Sequence, residues 1–147
     1  MREIVLNVRK DDVWEDVAKR ASYTGDRMKG DPEAYDRLLL TDDDKEVWGQ
    51  LWEESVAVAN GALRHLIREA SAPGEDYRIR LEVSVNYDTA LNGSVEAALR
   101  GYFAAAVTGR WFRMCDREDA AECMTSAAAL LEDALRKLYS RRAPRRG

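Results

Sequence analysis

Two segments in which apolar and polar residues alternate constrain this chain most, because the rest of the sequence has helical patterns. Residues 78–87 alternate without a break and place on one face Ile79, Leu81, Val83, Val85 and Tyr87. Residues 3–8 alternate more weakly, with Val5 out of the pattern and, on one face, Ile4, Leu6 and Val8. Alternation with period two predicts half-buried strands. Since two strands alone are marginally stable in water, we expect a helical layer over them or strands of a neighbouring copy.

Length and composition indicate one globular domain. The chain has 147 residues, of which 46% are hydrophobic and 34% charged, and such values are typical of a folded domain. Its apolar stretches are shorter than the roughly 20 residues of a membrane helix, and its N-terminal residues lack a signal-peptide pattern. We therefore predict a protein made in the cytoplasm, with no membrane partner. A single helical domain is expected over residues 1–140, followed by a basic tail over residues 141–147.

Helical periodicity predicts a mainly α (α+β) fold, a bundle of four to five helices with a minor two-stranded β element. Helices are expected after Asp11 or Asp12, after Asp31-Pro32, over residues 41–71, from Ser94 and from Asp116. The helix from Ser94 carries many alanines and glycines, which permit close contact with another helix.

The 41–71 segment has the longest apolar stripe. We therefore expect it to be the longest helix and to lie at the centre. Its expected buried residues are Leu51, Val56, Leu63 and Ile67. Gly49 and Gly61 predict a bend or a close helix contact within it, because glycine is unfavourable in a helix interior.

No residue pattern predicts a catalytic, metal or cofactor site, and no small-molecule substrate is inferred. His65 is the one histidine, and no nucleophile signature accompanies it. Cys115 and Cys123 are eight residues apart, which does not fit a zinc site. We interpret them as reduced, buried thiols. The expectation is a non-enzymatic protein without cofactors.

Aromatic and basic residues adjoin at positions 110–113, where Trp111 and Phe112 lie between Arg110 and Arg113. Basic residues interleaved with aromatic ones can bind single-stranded nucleic acid. Aromatic residues at helical spacing usually belong to a core, and Trp and Arg also anchor protein interfaces. Trp111 and Arg113 are therefore candidate interaction residues, and all three alternatives stay open.

The C-terminal end is basic, whereas the rest of the chain is acidic. Residues 136–147 hold six of the 23 basic residues and none of the 27 acidic ones, which leaves 17 basic residues and a charge of −10 for residues 1–135. Such asymmetry is typical of an interaction tail. The tail could contact DNA or the acidic body of another copy, or act only on helix stability and solubility. Its candidate contact residues are Arg141, Arg142, Arg145 and Arg146.

Several stretches together carry a resemblance to a known group of proteins. They are Tyr23-Thr24-Gly25 with Met28 and Gly30, the Tyr35 segment running into Thr41-Asp42, Gly109-Arg110-Trp111, and the closing Glu132-Asp133 with Arg136-Lys137-Leu138-Tyr139. Over nearly its whole length the chain resembles small, uncharacterised proteins encoded among the virion genes of prophages in gut bacteria. The resemblance implies a structural role in a phage particle, such as the neck. Head–tail connector proteins are similar in outline, since they are small helical bundles with a short β element.

Two hypotheses of different class follow. The first is a non-enzymatic virion structural protein, a head–tail connector or neck component, that associates with itself and with other virion proteins and is localised in the particle. The second is a nucleic-acid-binding accessory protein that uses the basic tail. The acidic body disfavours the second, because it repels the phosphates of a nucleic acid.

Overall fold

A computed structural model of the chain describes residues 1–26, 45–114 and 118–141. The strands are β1 (Arg2–Val8), β2 (Ile67–Ala70) and β3 (Tyr77–Val83). The helices in these ranges are α1 (Lys10–Asp26), α2 (Lys45–Leu63), α3 (Asn92–Met114) and α4 (Asp119–Tyr139), with a 3-10 helix over Thr89–Leu91. The prediction of a mainly α fold with four to five helices and a minor sheet is confirmed, but the sheet has three strands instead of two.

The sheet is antiparallel, and its strand order is β1-β3-β2. The two segments with alternating patterns pair within the chain, in a regular register from Arg2 opposite Val83 to Val8 opposite Tyr77. One face of these two strands is buried, and its residues are Ile4, Leu6, Val8, Tyr77, Ile79, Leu81 and Val83. Val5, the residue out of the pattern, is 49% exposed on the other face. The expected pairing is thus confirmed, but β3 is the central strand.

The strand predicted over residues 78–87 ends early, at Val83. Val83 lies opposite Arg2, the first residue of β1, so the chain beyond it has no strand to pair with. A turn follows, in which the Tyr87 N–H donates to the Ser84 carbonyl at 3.0 Å. Val85 is therefore 58% exposed, whereas Tyr87 is buried.

The helix predicted over residues 41–71 is also shorter than expected. It ends at Leu63, the chain turns at residues 64–66, and Ile67–Ala70 forms β2. The helix ends here because β3 pairs with β1 along one edge only, and the peptide groups on its other edge need hydrogen-bond partners. The Glu82 N–H donates to the Leu66 carbonyl, and the Arg78 carbonyl accepts from the Ser71 N–H, both at 2.9 Å.

The other predictions for this segment have mixed outcomes. Leu51, Val56 and Leu63 are buried as expected, whereas Ile67 is only partly buried. Apart from the local helix backbone, no atom of the described residues lies within 4 Å of a β-carbon built on Gly49 or Gly61. Of the two alternatives predicted there, a bend or a close helix contact, the close contact is therefore wrong. Residues 41–44 lie outside the described residues, as does the short helix expected after Asp31-Pro32.

The longest and central helix of the described residues is α3, with 23 residues, and not α2, with 19. All the residues from Tyr102 to Gly109 are buried, so neighbours surround this part of α3 on every side. Phe103 lies at the centre of an aromatic cluster, with ring centroids 4.6 Å from Trp52 and 4.9 Å from both Tyr77 and Tyr102. This cluster joins α2 and the inner face of the sheet to α3.

Small residues let α4 pack closely on α3, as the sequence predicts. A β-carbon on Gly101 would lie 3.1 Å from a Leu130 methyl carbon, and one on Gly109 would lie 2.8 Å from the Met124 sulfur. The facing stripe of α4 is buried and consists of Ala120, Ala127, Leu131, Ala134 and Leu138. The helix begins at Asp119, and Asp116, its expected start, lies outside the described residues.

Candidate assembly surfaces

The outer edge of β1 carries peptide groups that β3 does not use. The Asn7 N–H donates to Glu96 Oε2 at 2.8 Å, and the Arg78 N–H, on the opposite strand, donates to Ser71 Oγ at 3.0 Å. Asn7 and Arg78 are therefore a non-hydrogen-bonded pair of the antiparallel ladder. Because such pairs alternate along the ladder, the N–H and C=O groups of Glu3, Val5 and Asn7 all point away from β3.

The two edges of the sheet differ in how well they are protected. Proteins protect sheet edges with short strands, bulges and charged side chains. The strand β2 has all three, since it has four residues, a register shift between Ile67 and Glu69, and the charged side chains of Arg68 and Glu69. In contrast, β1 has seven residues in regular register, and among its outward groups only the Asn7 N–H donates to a described side chain, the carboxylate of Glu96.

The outer face of the sheet, which no helix of the described residues covers, has an acidic end and a basic end. Glu3 lies opposite Glu82 at one end, Val5 opposite Arg80 in the middle and Asn7 opposite Arg78 at the other end. Glu82 pairs with Arg68 at 2.6 Å and Arg80 pairs with Glu69 at 3.2 Å. Among the described residues, Glu3 and Arg78 have no ion-pair partner. Two like charges directly opposite each other destabilise a sheet, so the position of Glu3 favours a cation from outside.

An open cleft of about 770 Å³ lies where the β2–β3 turn approaches the start of α1. The Lys10 N–H donates to Asp76 Oδ1 at 2.9 Å, and Lys10 Nζ donates to the Gly74 carbonyl at 3.1 Å. Lys10 Nζ also lies 5.5 Å from a ring centroid of Trp48. These two hydrogen bonds of Lys10 hold the turn against α1.

An apolar groove of about 290 Å³ lies between α2 and α4, with α3 as its floor. Val58 of α2 forms one wall and is 47% exposed, and Leu135 and Ala128 of α4 belong to the other wall. At one end Arg110 pairs with Glu54 at 3.3 Å.

Tyr102 lines the same groove and is held by a hydrogen bond. Its hydroxyl donates to the Ser55 carbonyl at 2.6 Å, and burial raises the pKa of Tyr102 to about 12, with Arg110 opposing the shift. The phenol is therefore neutral near pH 7 and acts as a structural donor.

The predicted interaction residues have different positions. Trp111 is buried, 7% exposed, so core packing is the alternative that its position fits. Arg113 is exposed near the end of α3, and Arg141 is exposed just after α4. Arg142, Arg145 and Arg146 lie outside the described residues.

Two further reactive side chains lie in the described part of the chain, the thiol of Cys123 and the imidazole of His65. Cys123 is a free, partly buried thiol whose pKa is raised mainly by burial, and Cys115 lies outside the described residues. His65 is exposed in the turn after α2. Within residues 1–26, 45–114 and 118–141, no group of three or more His, Cys, Asp and Glu could hold a metal ion. In the same part of the chain, no helix has the length and apolar character needed to cross a bilayer.

Comparisons with protein-family models, with curated proteins and with solved structures found no match to the chain. The candidate surfaces are therefore identified from the geometry of the structure alone. Sequence reasoning missed Glu96 and Val58, because their roles depend on β1 and α4, which are distant in sequence. One signal was present: Val5 is an apolar residue on the polar face of a strand.

Proposed function

We propose that this chain is a non-enzymatic structural protein of a phage particle, a head–tail connector or neck component that works by protein–protein assembly. The observation that carries the proposal is the outer edge of β1. Within the described residues, no hydrogen bond occupies the outward N–H and C=O groups of Glu3 and Val5, so these groups can continue the sheet into another protein chain. Peptide recognition by strand addition uses such edges, since main-chain hydrogen bonds supply the affinity.

Two further features support an assembly role. The apolar groove between α2 and α4 exposes Val58 beside partly buried Leu135, and exposed apolar surface is typical of contact sites. The charge of the chain is divided between an acidic body and a basic end, which favours contact between unlike ends of neighbouring chains. The resemblance to prophage virion proteins supplies the particle as the setting.

The test is to look for the protein in the particle. Phage particles induced from the host that carries the gene are purified on a density gradient, and their proteins are quantified by mass spectrometry against the major capsid protein. We expect this chain in a fixed, low copy number per particle, and antibody labelling at the junction of head and tail. Complete absence from purified particles would overturn the particle role. A cytosolic protein of similar abundance serves as the contamination control.

The alternative is a nucleic-acid-binding accessory protein that uses the tail. Removal of residues 141–147 separates the two, because it deletes Arg141, Arg142, Arg145 and Arg146 and leaves the described helices whole. If DNA is the partner, DNA retention is lost and the oligomer stays intact. If the partner is a neighbouring subunit, assembly weakens instead. Both contacts would weaken with salt, since exposed charges are screened.

A further inference from the structure

We infer that two copies of this chain pair through their β1 strands, antiparallel and about a two-fold axis at Ile4, to form one six-stranded sheet. This inference rests on the proposed assembly function and specifies one of its contacts. The partner is a second copy of the same chain. Glu3 of each copy lies opposite Val5 of the other. Two-fold contacts of this kind, with the same surface on both sides, are the commonest in soluble homo-oligomers.

The backbone determines which residues can pair. Glu3 and Val5 point their N–H and C=O groups outward, and an antiparallel partner exchanges both bonds with each outward residue. With Glu3 opposite Val5 of the second copy, the two strands form four hydrogen bonds. The regular register of β1 against β3 keeps these groups in line.

The contact with Glu96 limits how far the second copy can pair along β1. The Glu96 carboxylate accepts the Asn7 N–H at 2.8 Å and so occupies the next outward position of the strand. An axis at Val5 would place Glu3 of the second copy against Asn7, where the Glu96 carboxylate lies. An axis at Ile4 leaves the Glu96 contact intact, and for this reason we infer that register.

The charges on the outer face favour the same arrangement. A two-fold axis reverses the second strand, so the acidic end of one copy approaches the basic end of the other. Glu3 then lies beside Val5 of the second copy, and the next residue across that sheet is Arg80. The gap is two strand spacings, roughly 10 Å, which a glutamate and an arginine side chain together can span. Glu82 stays opposite Glu3 on the other side of β1, so the approach of Arg80 from the second copy offsets the repulsion between the two glutamates.

The main test is the substitution Val5→Pro, measured by light scattering over a range of concentrations. The Val5 N–H points outward, and proline is tolerated on an edge strand at such a position. At a dilution where the native chain is monomeric, the variant should have the same circular dichroism spectrum and melting temperature, and at higher concentration it should lack self-association. Val85→Pro is the control, since Val85 is also exposed but lies in a turn beyond β3, and it should leave association unchanged. A folded Val5→Pro variant that still associates would overturn the inference.

A second measurement uses the unmodified chain, so it does not depend on any variant folding. Amide hydrogen exchange at Glu3 and Val5 should slow as protein concentration rises, while the exposed Val85 amide exchanges at a constant rate. A chain that stays monomeric at millimolar concentration, with fast exchange at Glu3 and Val5, would refute the pairing.

Three substitutions test the register and the charges. Glu96→Ala frees the Asn7 N–H to bond with Met1 of the second copy, and should tighten association several-fold, because each copy gains a hydrogen bond. Weaker or equal association would contradict the Ile4 axis. Arg80→Glu should weaken association, and the double variant Glu3→Arg with Arg80→Glu should restore it. No restoration would exclude the Glu3–Arg80 contact.

Failure of this inference and failure of the proposed function are distinguishable. If Val5→Pro does not change association but the protein is found in particles, the particle role stands and the contact is elsewhere. If Val5→Pro abolishes association but particles lack the protein, the β1 contact stands and the particle role fails.

Discussion

The helices α2 and α3 differ in how much of their surface is buried in the core. The first buries one stripe, including Trp48, Trp52 and Val56, and exposes its other sides, with Val58 half exposed at the edge of the groove. The second is buried all around between Tyr102 and Gly109. A strong apolar stripe therefore marks a helix at the border of a core, whereas a run of small residues marks one inside it, because alanine and glycine let neighbours approach from every side.

The largest difference between the two helices should appear when an α3 side chain is truncated. Phe103→Ala removes the ring that contacts Trp52, Tyr77 and Tyr102 and should lower the free energy of unfolding by about 3–5 kcal/mol. Val58→Ala in α2 should change it by less than about 0.5 kcal/mol, since Val58 is half exposed. Urea denaturation followed by tryptophan fluorescence measures both. Similar losses for the two variants would contradict the central position of α3.

The end of α2 can be tested with two apolar residues from the same predicted stripe. Leu63 is fully buried at the last helical position, whereas Ile67 is partly buried in β2. Leu63→Ala should cost about 2–5 kcal/mol, and Ile67→Ala clearly less, because less of its side chain leaves water on folding. If Ile67→Ala costs as much as Leu63→Ala, the segment continues as a buried helix and the assignment of β2 is wrong.

Glycine-to-alanine substitutions should have opposite signs in the two helices. In Gly109→Ala the new carbon would lie 2.8 Å from the Met124 sulfur and 3.1 Å from the Cys123 β-carbon. Overpacking of this kind typically costs about 1–3 kcal/mol. Gly49→Ala meets open space and should stabilise the chain by up to about 1 kcal/mol through helix propensity. Thermal unfolding measures both, and a stabilised Gly109→Ala variant would show that α4 is more loosely packed than described.

The smallest expected change in stability comes from ionisation of the buried tyrosines Tyr77 and Tyr102 at alkaline pH. Burial raises the pKa of Tyr102 to about 12 and also raises the pKa of Tyr77, whereas the unfolded chain ionises near pH 10. Above about pH 10 the unfolded state loses its protons first, so the free energy of unfolding should fall as pH rises towards 12. Tyr102→Phe should cost about 1 kcal/mol at neutral pH, through loss of the bond to Ser55, and should reduce the alkaline decline. An equal decline in that variant would show that Tyr102 does not contribute.

The three strands differ in how well the sequence predicts them. Alternation predicted β1 and β3 because their apolar residues fall on one face. The strand β2 could not be predicted in the same way. Leu63, Leu66, Ile67 and Ala70 continue the helical stripe, and residues 67–70 form a strand only because β3 needs hydrogen-bond partners on its second edge. The local sequence pattern contains no information about these hydrogen bonds, because they join residues of different strands.

The candidate surfaces were predictable only in part. The tail arginines were visible as a charge run, and Arg141 is exposed as a tail contact requires. The neighbouring arginines make Trp111 a candidate interaction residue in the sequence, but its side chain is buried by the packing around α3. The β1 edge has no sequence signature apart from Val5, since the direction of its peptide groups depends on its register with β3.

The sequence by itself determined two kinds of feature: which faces of β1 and β3 are apolar, and that another helix can approach α3 closely. These follow from side-chain spacing along a single element. The tertiary structure decided the strand order β1-β3-β2, the end of α2 at Leu63, the central position of α3, and the contact between Glu96 and Asn7. Each of these joins residues far apart in the chain, and each is selected because burial and hydrogen bonding are satisfied over the whole fold at once.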